Sequence, residues 1–133
     1  MIDKNLLVDM ALKGRQRAYA PYSNFKVGAA LLLKNGEYIL GCNVENASYG
    51  LSNCAERTAL FKAYSEGYTK DDIVAMAIVG QTDEAISPCG ACRQVMVELL
   101  HADTLVVLSN LKKDIKEFKV SDLLPYSFGG DDL

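Results

Sequence analysis

Val27-Gly-Ala-Ala-Leu-Leu-Leu33, Lys34-Asn-Gly36 and Glu37-Tyr-Ile-Leu-Gly-Cys-Asn-Val44 run together as apolar segment, turn and apolar segment. Asn-Gly between two such segments is the strongest short-range hairpin signal, because both residues tolerate the left-handed backbone of a tight turn. The stretch therefore predicts two antiparallel strands. Upstream, Leu7, Met10, Ala11 and Ala18 recur at helical spacing, with Asp3 placed to cap the helix and Pro21 to stop it. Gly14 falls on the same stripe, where the missing side chain lets another element come close. Downstream, a polar loop from Glu45 to Asn53 leads into a helical stretch from Cys54 to Glu66, closed by Gly67. Val74 to Val79 reads as a buried strand, Cys89 to Leu100 as a helix, and Thr104 to Leu108 as a second buried strand. Ile115 to Val120 alternates like a weaker edge strand, and Gly129 to Leu133 reads as a loose end. This order predicts an α/β layered domain with one mixed sheet.

The chain has 133 residues, which suits one compact domain, 1–133, with a core of its own. Half of the residues are hydrophobic, which excludes a disordered chain. A formal charge of −3 leaves no electrostatic footprint for nucleic acid, and no basic block marks a membrane surface. Charges interrupt the apolar positions of Met1 to Gln16, unlike the apolar centre of a secretory signal, and no apolar run approaches the ~20 residues of a membrane span. The expectation is a cytoplasmic protein in a reducing compartment, where paired cysteines more often mean metal or catalysis than a bridge.

Cys54-Ala-Glu-Arg57 and Pro88-Cys-Gly-Ala-Cys92 hold three of the four cysteines. Their spacing admits a disulfide, a thioredoxin-like redox pair, a structural metal knot or a catalytic metal site. Both helices follow strands, so crossovers can bring their starts to one sheet edge and let the three sulfurs converge. Three ligands with no fourth is the count of a catalytic zinc site, which keeps one position for water. Cys42 reads as a small buried thiol and His101, the only histidine, as a helix-end residue. Three thiolates overcompensate Zn²⁺ by one charge; Arg57, one turn after Cys54, is placed to offset the excess. Glu56 sits within the same turn, where a carboxylate that is not itself a ligand can serve as general acid and base.

Together these motifs resemble the zinc-dependent cytidine deaminases, and the similarity runs nearly the whole length of the chain. Asn43-Val-Glu45-Asn-Ala-Ser-Tyr-Gly50 is similar to that family's ribose-binding stretch, Phe25-Lys-Val-Gly-Ala-Ala30 to its base-contacting strand, and Pro125-Tyr-Ser-Phe-Gly129 to its C-terminal segment. The resemblance implies a three-layer α/β/α sandwich around a five-stranded mixed sheet. It implies one Zn²⁺ per chain on Cys54, Cys89 and Cys92, with Glu56 moving protons and Arg57 tempering the thiolate charge. Phe25, Asn43, Glu45, Ala55 and Phe128 would bind substrate, Phe128 by reaching a neighbouring subunit's pocket in a homotetramer, with Tyr49 near a subunit boundary. The implied reaction is hydrolytic deamination of cytidine and 2′-deoxycytidine in pyrimidine salvage, with no nucleic acid or membrane partner. A blasticidin-type deaminase is the nearest alternative, and a thioredoxin-like Cys-x-x-Cys protein the alternative of another class.

Overall fold

The hairpin forms. In a computed structural model that describes residues 2–132, β1 (Val27–Leu33) and β2 (Tyr38–Cys42) pair antiparallel, with Ala29 opposite Gly41 and Leu31 opposite Ile39. Its turn differs from a two-residue Asn-Gly turn. Gly36 takes the left-handed backbone at φ +87° while Asn35 does not, and the Gly36 N–H donates to the Leu33 carbonyl at 3.0 Å. Asn35 instead offers its side-chain oxygen to the Glu37 N–H at 2.9 Å. The connection is thus a three-residue loop ending on a left-handed glycine.

The remaining strands are β3 (Ile73–Gly80), β4 (Leu105–Asn110) and β5 (Lys116–Lys119), in the order β2-β1-β3-β4-β5. Only β3 and β4 run parallel; the other neighbours are antiparallel, which gives the expected mixed sheet. The helices are α1 (Lys4–Arg15), α2 (Ala55–Ser65), α3 (Gly90–Leu99) and a single turn, α4 (Val120–Leu123), which begins at the last residue of the expected edge strand and has no counterpart among the expected helices. Asp3 caps α1, its carboxylate accepting the Leu6 N–H at 3.0 Å. This helix ends well before Pro21, leaving Ala18 outside it, because the Tyr19 backbone pairs with Asn43 and Glu45 instead. Gly67 closes α2 at φ +94° as expected. Gly130–Asp132 form a 3-10 turn rather than a loose end, and Leu133 lies outside the described residues.

Both sheet faces are covered, which is why β1 and β3 read as unbroken apolar runs. One face carries Ala30, Ala75, Ala77 and Val79 against Leu7, Val8 and Ala11 of α1. The other carries Leu31, Met76 and Ile78 against Ala59 and Leu60 of α2 and Met96 of α3. The result is a three-layer α/β/α arrangement with α1 below the sheet and α2, α3 and the short α4 above it. Small residues draw the layers together. A Cβ on Gly28 would stand 2.0 Å from the Ala11 carbonyl, and one on Gly41 would stand 2.5 Å from that of Ala55. Gly28→Ala must therefore push α1 off the sheet, and is expected to cost about 3 kcal/mol of stability, read as a lower urea midpoint by circular dichroism.

Candidate active site

Strands β2 and β3 both run antiparallel to β1, so the helices that follow them, α2 and α3, begin at the same edge of the sheet. Cys54 is the N-cap residue of α2 and Cys89 that of α3, with Cys92 in the first turn. Their sulfurs converge: Cys54 Sγ and Cys89 Sγ are 3.8 Å apart, Cys89 Sγ and Cys92 Sγ 3.2 Å apart, and all three lie within 4.8 Å of one another. Zinc–sulfur bonds of about 2.3 Å in a tetrahedron set sulfurs ~3.8 Å apart, so the trio fits this ion with slight opening of one pair. The surroundings favour ionisation of Cys54 alone of the pair it forms with Cys92. The thiol of Cys92 beside it, then the guanidinium of Arg57, hold Cys54 down at about 5, while the same Cys54 neighbour and burial push Cys92 up.

Arg57 Nη2 donates to Cys54 Sγ at 3.3 Å. Its Nε is buried and, among the described residues, is the one such side-chain nitrogen or oxygen without a partner. A guanidinium held against the cluster in this way matches a centre with one more negative charge than its cation can neutralise. Glu56, the residue before Arg57 in α2, is only 4% exposed. Burial raises its pKa, its own backbone N–H lowers it, and the Cys54 thiolate raises it again. A carboxyl with raised proton affinity beside a cluster of thiols can take up a proton and return it.

The cluster opens into a cleft of about 240 Å³, whose wall includes Phe25, Asn43, Glu45, Ala55 and Glu56 together with Cys54 and Cys89. Asn43 fastens the rim, its amide donating to the Phe25 carbonyl at 2.7 Å and accepting the Val27 N–H at 2.9 Å. Glu45 is 7% exposed, and its pKa is lowered chiefly by the Ser23 hydroxyl. Ile86 and Phe25, both in the cleft wall, pack over Gly80: a Cβ there would meet Ile86 Cδ1 at 2.6 Å and Phe25 Cζ at 3.2 Å.

A family model described as the cytidine and deoxycytidylate deaminase zinc-binding region matches residues 1–109. A cytidine deaminase of Halalkalibacterium halodurans is 58% identical over 132 residues, covering 99% of this chain and 98% of that one. One of Sporosarcina psychrophila is 48% identical over 132 residues, covering 99% and 96%. A crystal structure of cytidine deaminase from Burkholderia pseudomallei superposes with a TM-score of 0.93 at 54% identity, covering 96% of this chain and all of that one. The chain belongs to the cytidine deaminase family.

It is accordingly a hydrolase with the cytidine deaminase fold, and its three-cysteine cluster fits the family's zinc cofactor. The structural-knot reading would need a fourth ligand, and the cluster among the described residues has three. His101 instead faces Asp71, Nε2 to Oδ1 at 2.7 Å. Cys42, at the end of β2, is half-buried rather than buried, and its pKa is raised by that burial. The redox reading leaves Cys54 without a role, though it stands as near Cys89 as a ligand would.

Of the site residues singled out in the sequence, Phe25, Asn43, Glu45, Cys54, Ala55, Glu56 and Cys89 line one cleft, as does Tyr49; Cys92 and Arg57 stand behind it against the other sulfurs, and Phe128 lies apart. It stands exposed outside this chain's cleft, with its carbonyl accepting from Gln94 Nε2 at 2.8 Å. Ser23, Val27, Ile86 and Ser87 also line the cleft and escaped the sequence reading. Ser23 was within reach of it, two positions before Phe25 in Pro21-Tyr-Ser-Asn-Phe25. Ile86 carried no signal, since a lone apolar residue in a loop has no periodicity to reveal it.

Proposed function

We propose that this chain hydrolyses the free nucleosides cytidine and 2′-deoxycytidine to uridine and 2′-deoxyuridine, releasing ammonia, as a cytoplasmic step of pyrimidine salvage. The observation that carries the reading is the buried Glu56 carboxyl beside three convergent sulfurs at the end of a cleft of nucleoside size. Zinc on Cys54, Cys89 and Cys92 would supply Lewis acidity that brings the ionisation of water to near neutral pH.

The chain's own residues do the rest. Glu56 accepts a proton from the attacking water and delivers it to N3 of the pyrimidine as C4 gains its new C–O bond. It then takes the proton of the new C4 hydroxyl and passes it to the amino group, so that the C4–N bond breaks, the C4 carbonyl forms and ammonia leaves. Arg57 offsets the thiolate charge through its bond to Cys54. Phe25 packs on the ring, and Ala55, fully buried at the first position of α2, forms the wall beside it. Asn43 keeps one amide hydrogen and one oxygen lone pair beyond its two backbone bonds, and Glu45 keeps one acceptor position, a set suited to sugar hydroxyls. That polar set favours an unmodified ribose over the bulkier sugar of a blasticidin-type substrate.

A homotetramer accords with the exposed Tyr19, Val44, Tyr49 and Leu51, an apolar group of the kind that another subunit covers. In it, Phe128 would complete a neighbour's pocket. The test is metal analysis of purified protein joined to an absorbance assay of cytidine, 2′-deoxycytidine and cytidine 5′-monophosphate. The cleft wall has no lysine or arginine among the described residues, and Glu45 adds a negative charge. The monophosphate is therefore expected to be worse in kcat/KM by about 10²-fold or more. Equal turnover of nucleoside and nucleotide would contradict the proposed substrate class.

A further inference from the structure

The loop from Ala20 to Asn24 leads into Phe25, and its backbone is held by several hydrogen bonds. Asn24 is left-handed at φ +57°, and its N–H donates to the Ala20 carbonyl at 3.0 Å, closing one turn. That turn presents three donors to a single carboxylate. Glu45 Oε1 accepts the N–H groups of Tyr22 at 3.0 Å and Ser23 at 3.1 Å, and Oε2 accepts the Ser23 hydroxyl. The same hydroxyl oxygen accepts the Phe25 N–H at 3.0 Å. An ionised carboxylate offers about four acceptor directions, so three filled positions leave one, on Oε2.

We propose that Ser23 is the positioning residue of the sugar subsite: its hydroxyl fixes the Glu45 oxygen that meets the sugar and ties it to the backbone carrying Phe25. The inference rests on the reading above that Glu45 accepts from a sugar hydroxyl. Without the Ser23 hydroxyl, Oε2 loses its one donor while Oε1 stays on the Tyr22 and Ser23 N–H groups, and the Phe25 N–H loses its acceptor. Nothing in the arrangement touches the reacting carbon, so the effect falls on binding that ground state and transition state share. The Ser23 bond is also the largest influence keeping Glu45 ionised.

The test is steady-state kinetics of Ser23→Ala, Ser23→Thr and Glu45→Gln on cytidine and 2′,3′-dideoxycytidine, with zinc content and thermal midpoint as controls. Ser23 is exposed, so both of its variants are expected to fold. Ser23→Ala should raise KM for cytidine about tenfold with kcat within about twofold; on the dideoxy substrate, where only the tie to the Phe25 backbone is lost, the rise should stay below about threefold. Ser23→Thr, which keeps the hydroxyl, should restore the parent KM. An equal loss on both substrates, a fall in kcat in place of a rise in KM, or no rescue by threonine would overturn the proposal. If Glu45→Gln weakens cytidine selectively while Ser23→Ala does nothing, the sugar role of Glu45 stands and that of Ser23 falls. A parent protein that does not prefer cytidine to its dideoxy analogue would remove both.

Discussion

Glu56→Gln is expected to fold, to hold one zinc per chain, and to turn cytidine over about 10²–10⁴-fold more slowly than the parent protein. The amide has nearly the shape of the carboxyl, so it fills the same buried position at the start of α2 and keeps the backbone contact. What it lacks is the ability to carry a proton in both directions. The proposed reaction asks for that twice, once at N3 and once at the departing amino group, and the buried surroundings offer no bulk water to substitute. Circular dichroism and metal analysis establish that fold and zinc are retained; loss of absorbance on cytidine gives the rate. A variant with zinc and the parent's kcat would show that the proton carrier lies elsewhere.

Cys89→Ala is the second large effect. Removing one of three sulfurs is expected to weaken zinc binding by more than about 10²-fold, beyond the 10–100-fold typical of supporting residues, with activity falling alongside occupancy. Cys89 is the informative choice because it is the exposed member of the trio, whereas Cys92 is fully buried in the core. Its substitution separates metal loss from packing loss. It also caps α3, with its sulfur accepting the Cys92 N–H at 3.4 Å, so a small stability change of about 1 kcal/mol is expected. Cys89→Ser controls for that: the hydroxyl keeps the cap but is a poor match for an ion held by thiolates. Substantial zinc and turnover in Cys89→Ala would mean that two sulfurs suffice, and the three-ligand reading would fail.

The sheet was legible because its signals are local. The apolar runs on either side of Asn35-Gly36, and the runs at 74–79 and 104–108, coincide with strands of the structure to within a residue or two at their ends. Helix ends were less legible where tertiary hydrogen bonds take over. Ala18 continues the apolar stripe of α1, yet the chain has already turned away because Tyr19 pairs with Asn43 and Glu45. The sulfur cluster was readable since each cysteine sits at a helix start, where spacing fixes direction. The rim of the cleft was not. Ser23 and Ile86 reach it through loop geometry, Ile86 by packing over the bare backbone of Gly80, and no periodicity encodes either.

The three sulfurs come from two helix tips separated by 35 positions in the chain, with all of β3 between them. A nascent polypeptide therefore possesses at most the Cys89–Cys92 pair as a local trap for metal, and the full grip exists only after β3 has been laid beside β1. Ion capture is in this sense a receipt for completed assembly. Conversely, any fluctuation that peels α2 from the sheet releases the cargo, so the rate at which a chelator strips the protein should track the opening of that one helix.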